Sequence, residues 1–177
     1  AMLVTHISAA GGAFMWMLLE RINHGKASAL GAVTGMVAGL GTITPASGFV
    51  GPGGGLIIGL SAGVVCYYAT GYIKRTLKID DSLDVFPVHG VGGILGTLMT
   101  GVFASNALGV FSGQEDIAIG AQVSIQAIGI LSAVCYTSVV TYVILKVTDA
   151  MVGNRVDEED EMQGLDLVSH DERGYDL

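Results

Sequence analysis

Long apolar runs without any charged side chain alternate with short polar connections along this chain. The uncharged runs cover residues 1–19, 27–73, 85–104 and 117–145. A helix needs about 20 apolar residues to cross the hydrocarbon core of a bilayer, so the second run is long enough for two helices. Glycine and proline cluster between Thr44 and Gly55, and this cluster predicts the turn between those two helices. The pattern as a whole predicts five helices, at about residues 2–20, 27–44, 54–74, 86–104 and 118–147.

The composition agrees with helices that span a membrane. Hydrophobic residues make up 51% of the 177 residues, and charged residues only 14%, whereas a soluble domain carries about 25% charged residues. The net charge of −8 argues against a nucleic-acid-binding protein. The predicted fold class is therefore all-α, a polytopic membrane protein with five transmembrane helices.

The basic residues indicate how these helices are oriented. The two connections around residues 45–53 and 105–116 contain no lysine or arginine. With five spans, all the basic residues then fall on one side of the membrane: Arg21, Lys26, Lys74, Arg75, Lys78, Lys146, Arg155 and Arg173. The positive-inside rule places that side in the cytoplasm, so the N-terminus is predicted outside and the C-terminus inside.

Charge also divides the chain into two regions. Residues 1–148 have equal numbers of acidic and basic side chains, so residues 149–177 carry the whole net charge of −8. We therefore expect a membrane body over 1–148 and an acidic cytoplasmic tail over 149–177. The acidic run 157–161 is expected to be solvated, or to become ordered against the basic loops or a partner.

Glycines recur every four residues on the second and third predicted helices. This spacing leaves a stripe without side chains on one helix face, where a neighbouring backbone can approach closely. We interpret the stripes as packing surfaces: Gly31, Gly35 and Gly39 on one helix, Gly55, Gly59 and Gly63 on the other.

His89 is the main candidate functional residue, because it lies inside an uncharged run. Ionisable groups at membrane depth are costly and usually line a path or site, but a buried histidine bonded to a backbone carbonyl is an equal alternative. Pro87 suits the first turn of a helix. Asp84 is placed to cap that helix, or else to be a solvated loop acid.

Other kinds of chemistry find little support in the apolar part of the chain. No nucleophile–base pair, carboxylate pair or cluster of metal-ligating residues occurs there. The sequence therefore predicts no enzyme, no catalytic residue, and no cofactor or metal site.

Three segments of the chain have distinctive sequences: GTITPASGFVG at 41–51, DVFPVHGVGG at 84–93, and residues 164–175 of the tail. These segments resemble the ammonium transporter (Amt) family, which is related to the Rh proteins. The first is similar to the family signature between two middle helices, the second resembles its second pore-histidine motif, and the third resembles its cytoplasmic C-terminus. The resemblance covers nearly the whole chain, in order and with matching spacing.

The resemblance implies a larger fold than this chain contains. The family has eleven helices, arranged as two inverted five-helix repeats and a last long helix, and forms trimers with one narrow pore per subunit. This chain looks like helices seven to eleven. His89 then matches the second of two paired pore histidines, whose partner belongs to the first half. Asp84 matches the acid that supports the start of the pore helix, while Pro87 departs from the glycine common at its position.

The resemblance also implies a function and partners. The complete protein would pass ammonium or ammonia across the plasma membrane, and a PII-type signalling protein would dock at its cytoplasmic loops and tail. Two alternatives remain open from the sequence. One is an ammonium sensor or regulatory protein that signals through its tail, and the other is an inactive truncated half.

Overall fold

A computed structural model of the chain describes residues 1–106 and 118–174, and in these ranges every regular element is helical. The α-helices are α1 Met2–His24, α2 Ala29–Ile43, α3 Pro52–Gly71, α4 Gly92–Phe103, α5 Ile119–Val152, α6 Glu158–Gln163 and α7 Leu165–His170. Two π-helical turns adjoin them, Tyr72–Thr76 after α3 and Phe86–Val91 before α4. The predicted all-α fold class is confirmed.

Within these described ranges, four apolar helices are long enough to cross a membrane. They cover Met2–His24, Pro52–Thr76, Phe86–Phe103 and Ile119–Val152. The predicted span at 27–44 is an apolar helix of only 15 residues, Ala29–Ile43. At 1.5 Å per residue it extends about 22 Å, which is less than the bilayer core.

The α2 helix is short because the chain turns immediately after it. The backbone N–H groups of Ala46 and Ser47 both donate to the Ile43 carbonyl, at 2.9 and 2.8 Å. Val50 N–H donates in turn to the Ala46 carbonyl at 3.1 Å, and the Ala46 and Val50 side chains are buried. The predicted turn between the second and third helices is confirmed, and part of it is packed into the core.

The chain divides into two compact units, residues 1–131 and 132–177. Within the first unit, α1 packs against both glycine stripes. The Ser8 hydroxyl donates to the Gly39 carbonyl of α2 at 2.9 Å, and a Cβ atom on Gly59 of α3 would lie 2.7 Å from Ser8 Cα. The glycines therefore act as packing surfaces, as predicted.

Two clusters of buried side chains form the core of this first unit. One contains Val4, Ile43, Ala46, Val50 and Ile58. The other contains Trp16, Ala38, Cys66 and Val88, and so joins α1, α2 and α3 to the π-helical turn before α4.

The second unit contains the end of α5 and the two short helices. The α5 helix continues to Val152, five residues beyond the predicted end, and Gly153 follows it with a left-handed φ of 78°. Glycine adopts this conformation without strain and commonly ends helices. Four acidic residues fall in the first turn of α6, where the helix dipole favours negative charge. Arg155 forms a bidentate ion pair with Glu161 of that turn, with Nη2–Oε1 at 2.8 Å and Nε–Oε2 at 3.2 Å.

Candidate functional site

His89 lies in the π-helical turn Phe86–Val91, which leads directly into α4. A π turn inserts an extra residue into a helix and is frequent at functional sites. Pro87 occupies the first positions of the turn, where its missing N–H is tolerated. Pro87 and Val88 are buried, whereas His89 is exposed at the surface of the first unit. The turn therefore anchors one side of the segment in the core and presents the imidazole on the other.

Asp81 caps this turn, and the prediction that the Asp84 side chain would do so is wrong. The two Asp81 carboxylate oxygens accept the backbone N–H groups of Val85 and Phe86 at 2.9 and 2.8 Å. The Asp84 backbone is left-handed, with φ 56°, and its carboxylate pairs instead with Lys74. Neither of the two expectations for Asp84, a cap or a solvated loop acid, describes this contact, because a capping side chain only has to reach the free N–H groups and Asp81 does so.

Asp84 contributes to the start of the helix in two other ways. Its backbone carbonyl accepts the N–H of Val88 at 3.0 Å. Its Oδ1 atom lies 2.8 Å from Lys74 Nζ, and 18% of the Asp84 side chain is exposed. Because Lys74 lies in the π-helical turn after α3, this ion pair joins the end of that helix to the beginning of the His89 segment.

The imidazole of His89 lies beside α2. A Cβ atom on Gly41 would be 3.7 Å from His89 Nδ1, in ordinary van der Waals contact. Among residues 1–106 and 118–174, the ring has no hydrogen-bond partner. The predicted alternative, a buried histidine bonded to a backbone carbonyl, is therefore not what the described residues form. An exposed imidazole can donate from one nitrogen and accept at the other, so it can bind a small polar solute.

The first unit also has a cavity, lined by both apolar and polar side chains, that the sequence did not indicate. Its volume is about 590 Å³, and its lining includes Glu20, His24, Tyr67, Lys74 and Asp84. The Tyr67 hydroxyl lies 3.2 Å from His24 Nε2, while Glu20 accepts the backbone N–H of Ser28 at 2.7 Å. Sequence reasoning missed this cavity because its residues come from separate helices.

No group of three or more side chains suited to metal binding occurs within the described ranges. The geometry there is that of apolar helices packed through glycines, with one imidazole exposed from a π-helical turn. These features define a helical membrane protein with a polar site inside an apolar segment. The chain belongs to the Ammonium Transporter Family, whose family profile matches residues 1–175. It is accordingly a multi-pass membrane protein.

Relatives and solved structures agree with this assignment. The ammonium transporter Amt1 of Archaeoglobus fulgidus is 41% identical over 180 residues, covering 99% of this chain and 44% of that protein. The crystal structure of Saccharomyces cerevisiae Mep2 matches with a TM-score of 0.78 and 32% identity, over 89% of this chain and 37% of that chain. A structure named Sensor Amt Protein matches with a TM-score of 0.83 and 30% identity, over 96% of this chain and 41% of that chain. The chain spans between 41% and 44% of the length of the first curated relatives.

Proposed function

We propose that this chain is the C-terminal half of a channel that passes ammonium nitrogen across the plasma membrane. Support comes from the family membership and from relatives that are named ammonium transporters. The share of those relatives that the chain covers is what five helices of an eleven-helix fold would give. The pore of the complete protein would then lie between this half and a preceding half.

The exposed imidazole of His89 is the observation that carries the proposal. A bare ammonium ion is costly to transfer into an apolar pore, so the solute would lose a proton near the entrance and cross as ammonia. A neutral imidazole beside Gly41 offers one donor and one acceptor to such a solute. Paired with a histidine of the preceding half, His89 would bind the solute along the pore and relay its proton.

Asp84 is proposed to fix the start of the pore helix and not to contact the solute. Its ion pair with Lys74 and its backbone hydrogen bond to Val88 both act at the start of the segment that carries His89. A fixed start keeps the imidazole at one depth and one orientation. No cofactor, metal or catalytic residue enters this proposal.

The proposal includes a membrane orientation and an assembly. The N-terminus lies outside and residues 149–177 form an acidic tail in the cytoplasm, because all the basic connections fall on one side. The subunits assemble as a homotrimer in the bilayer, as the family resemblance implies. A PII-type signalling protein is the expected cytoplasmic partner at the loops and tail.

An ammonium sensor is the second candidate, because one of the matching structures is named a sensor protein. A sensor would bind ammonium at the same histidine and report it through the tail. It would respond to ammonium without the rapid uptake that a channel supports, so the uptake experiment below also separates these two functions.

Replacement of His89 tests the proposed function. The complete natural gene product, with His89→Ala, is expressed in cells that lack their own ammonium transporters, and uptake of labelled methylammonium is measured. We expect uptake to fall about tenfold or more, since hydrogen bonds to charged or reacting groups are worth about 1.5–3 kcal/mol and each 1.4 kcal/mol is a factor of ten. His170→Ala, which changes an exposed histidine at the end of α7, is the matched control and should retain uptake.

Equal uptake by the wild-type protein and the His89→Ala variant, at equal amounts in the membrane, would overturn the assignment of His89. A wild-type protein that gives no uptake but changes conformation on ammonium addition would favour the sensor.

A further inference from the structure

Two polar side chains lie buried directly behind the segment that carries His89. Thr42 of α2 and Cys66 of α3 are both 0% exposed. Cys66 belongs to the same buried cluster as Val88, the residue before His89. The two polar groups therefore face the π-helical turn from inside the unit, opposite to the exposed imidazole.

The contact between these side chains and the turn is close. A Cβ atom on Gly92, the first residue of α4, would lie 2.8 Å from Thr42 Oγ1 and 3.3 Å from Cys66 Sγ. A Cβ atom on Gly96 would collide with the Thr42 backbone. Glycine at these two positions brings the junction of the π turn and α4 directly onto Thr42 and Cys66.

The thiol of Cys66 is placed to donate to this junction. Its sulfur lies 4.0 Å from the Val88 carbonyl oxygen, in a geometry suited to an S–H···O hydrogen bond. The Thr42 hydroxyl is fully buried against Gly92 and beside the Cys66 thiol. Burying an unpaired hydroxyl is costly, and valine would fill the same space without that cost. The hydroxyl is therefore available to hydrogen-bond the thiol, which in turn donates to the Val88 carbonyl.

A π-helical turn has a specific need for such donors. The extra residue interrupts the regular i to i−4 hydrogen-bond pattern, so carbonyls at the junction lose their usual partners. Here the Gly92 N–H bonds to the His89 carbonyl, only three residues back. Without side-chain donors, the turn would relax toward a regular α-helix. If the extra residue of the turn were no longer accommodated, the residues before it would rotate by about 100° about the helix axis relative to α4. His89 would then leave its place beside Gly41.

We propose that Thr42 and Cys66 are positioning residues, which stabilise the π-helical turn Phe86–Val91 and thereby hold the His89 imidazole at the pore. This proposal rests on the proposed function, since it assigns their role through His89. Neither side chain touches the solute. Their effect is on where the ring points.

The test removes each donor and then restores it. Cys66→Ala and Thr42→Val remove the donors, while Cys66→Ser and Thr42→Ser keep a hydroxyl at the same place. In the complete gene product, we expect methylammonium uptake to fall about 2- to 10-fold in the first pair, as for loss of one hydrogen bond. Uptake should recover in the second pair. The matched controls are Cys135→Ala, at an exposed cysteine of α5, and Thr34→Val, at a partly exposed residue of α2.

A second measurement reports on the ring itself. Selective ¹⁵N labelling of histidine in the purified protein gives the His89 ring signals, which the His89→Ala variant identifies. These signals should shift in Cys66→Ala and Thr42→Val and stay unchanged in Cys135→Ala. Because this signal does not depend on transport, it tests the positioning role even if the proposed function fails.

The proposal is overturned if Cys66→Ala and Thr42→Val retain both wild-type uptake and wild-type ring signals. It is also overturned if folded serine variants lose as much uptake as the variants without a donor. Should Cys66→Ala fail to fold, Thr42→Val, which preserves the side-chain volume, decides the question alone. If the wild-type protein shows no uptake, but the His89 ring signals still shift in Cys66→Ala and Thr42→Val, only the proposed function is contradicted.

Discussion

At the scale of single residues, two neighbouring aspartates before the His89 turn, Asp81 and Asp84, make different contacts. The sequence indicates that a helix begins near Pro87 and that an acid precedes it, and both expectations hold. It does not indicate which acid caps the helix, because that depends on the backbone path of the loop. Asp84 turns away through its left-handed backbone to Lys74, and Asp81 reaches the free N–H groups instead.

Replacement of Asp81 by alanine is predicted to destabilise the fold. The substitution leaves the N–H groups of Val85 and Phe86 without their acceptor, and loss of a helix cap costs about 0.5–2 kcal/mol. Thermal unfolding of the protein in detergent measures the effect. Ser82→Ala, at an exposed neighbour in the same loop, should unfold like the wild type. Equal melting temperatures for Asp81→Ala and Ser82→Ala would show that the cap contributes nothing.

At the scale of helices, the apolar runs predict where each element lies but not its internal geometry. The π-helical turn at His89 could not be predicted, because one inserted residue barely alters a hydrophobic pattern. The hydrophobic pattern also does not reveal that α2 is short. The uncharged run continues through residues 44–50, whereas the chain already turns there and packs Ala46 and Val50 into the core.

The glycine stripes could be predicted because their period places them on one helix face. Within α3, they predict that alanine has different effects at two glycine positions. A Cβ atom on Gly59 would overlap the backbone of Ser8, whereas one on Gly53 would meet nothing within 4 Å. We expect Gly59→Ala to destabilise the protein by about 1–3 kcal/mol, as overpacking does. Gly53→Ala should be neutral or slightly stabilising, because alanine favours helix. Unfolding in detergent compares the two, and equal stability would mean that α1 and α3 do not pack through this stripe.

At the scale of the whole molecule, the sequence predicts the helical class and the order of the apolar helices, and the structure confirms both. The family assignment follows from motifs that retain their spacing over the chain. What the sequence cannot supply is the three-dimensional surroundings of His89. Its exposure, its contact with Gly41 and the buried donors behind it arise from residues far apart in the chain.

We propose above that this chain supplies one half of an ammonium channel, with His89 facing the other half. The most direct test is ammonium uptake into proteoliposomes, measured side by side for residues 1–177 alone and for the complete natural gene product. We expect uptake by the complete product and none above empty liposomes by residues 1–177, since a single half provides only one side of the pore. Uptake by residues 1–177 alone, at a rate close to that of the complete product, would contradict it.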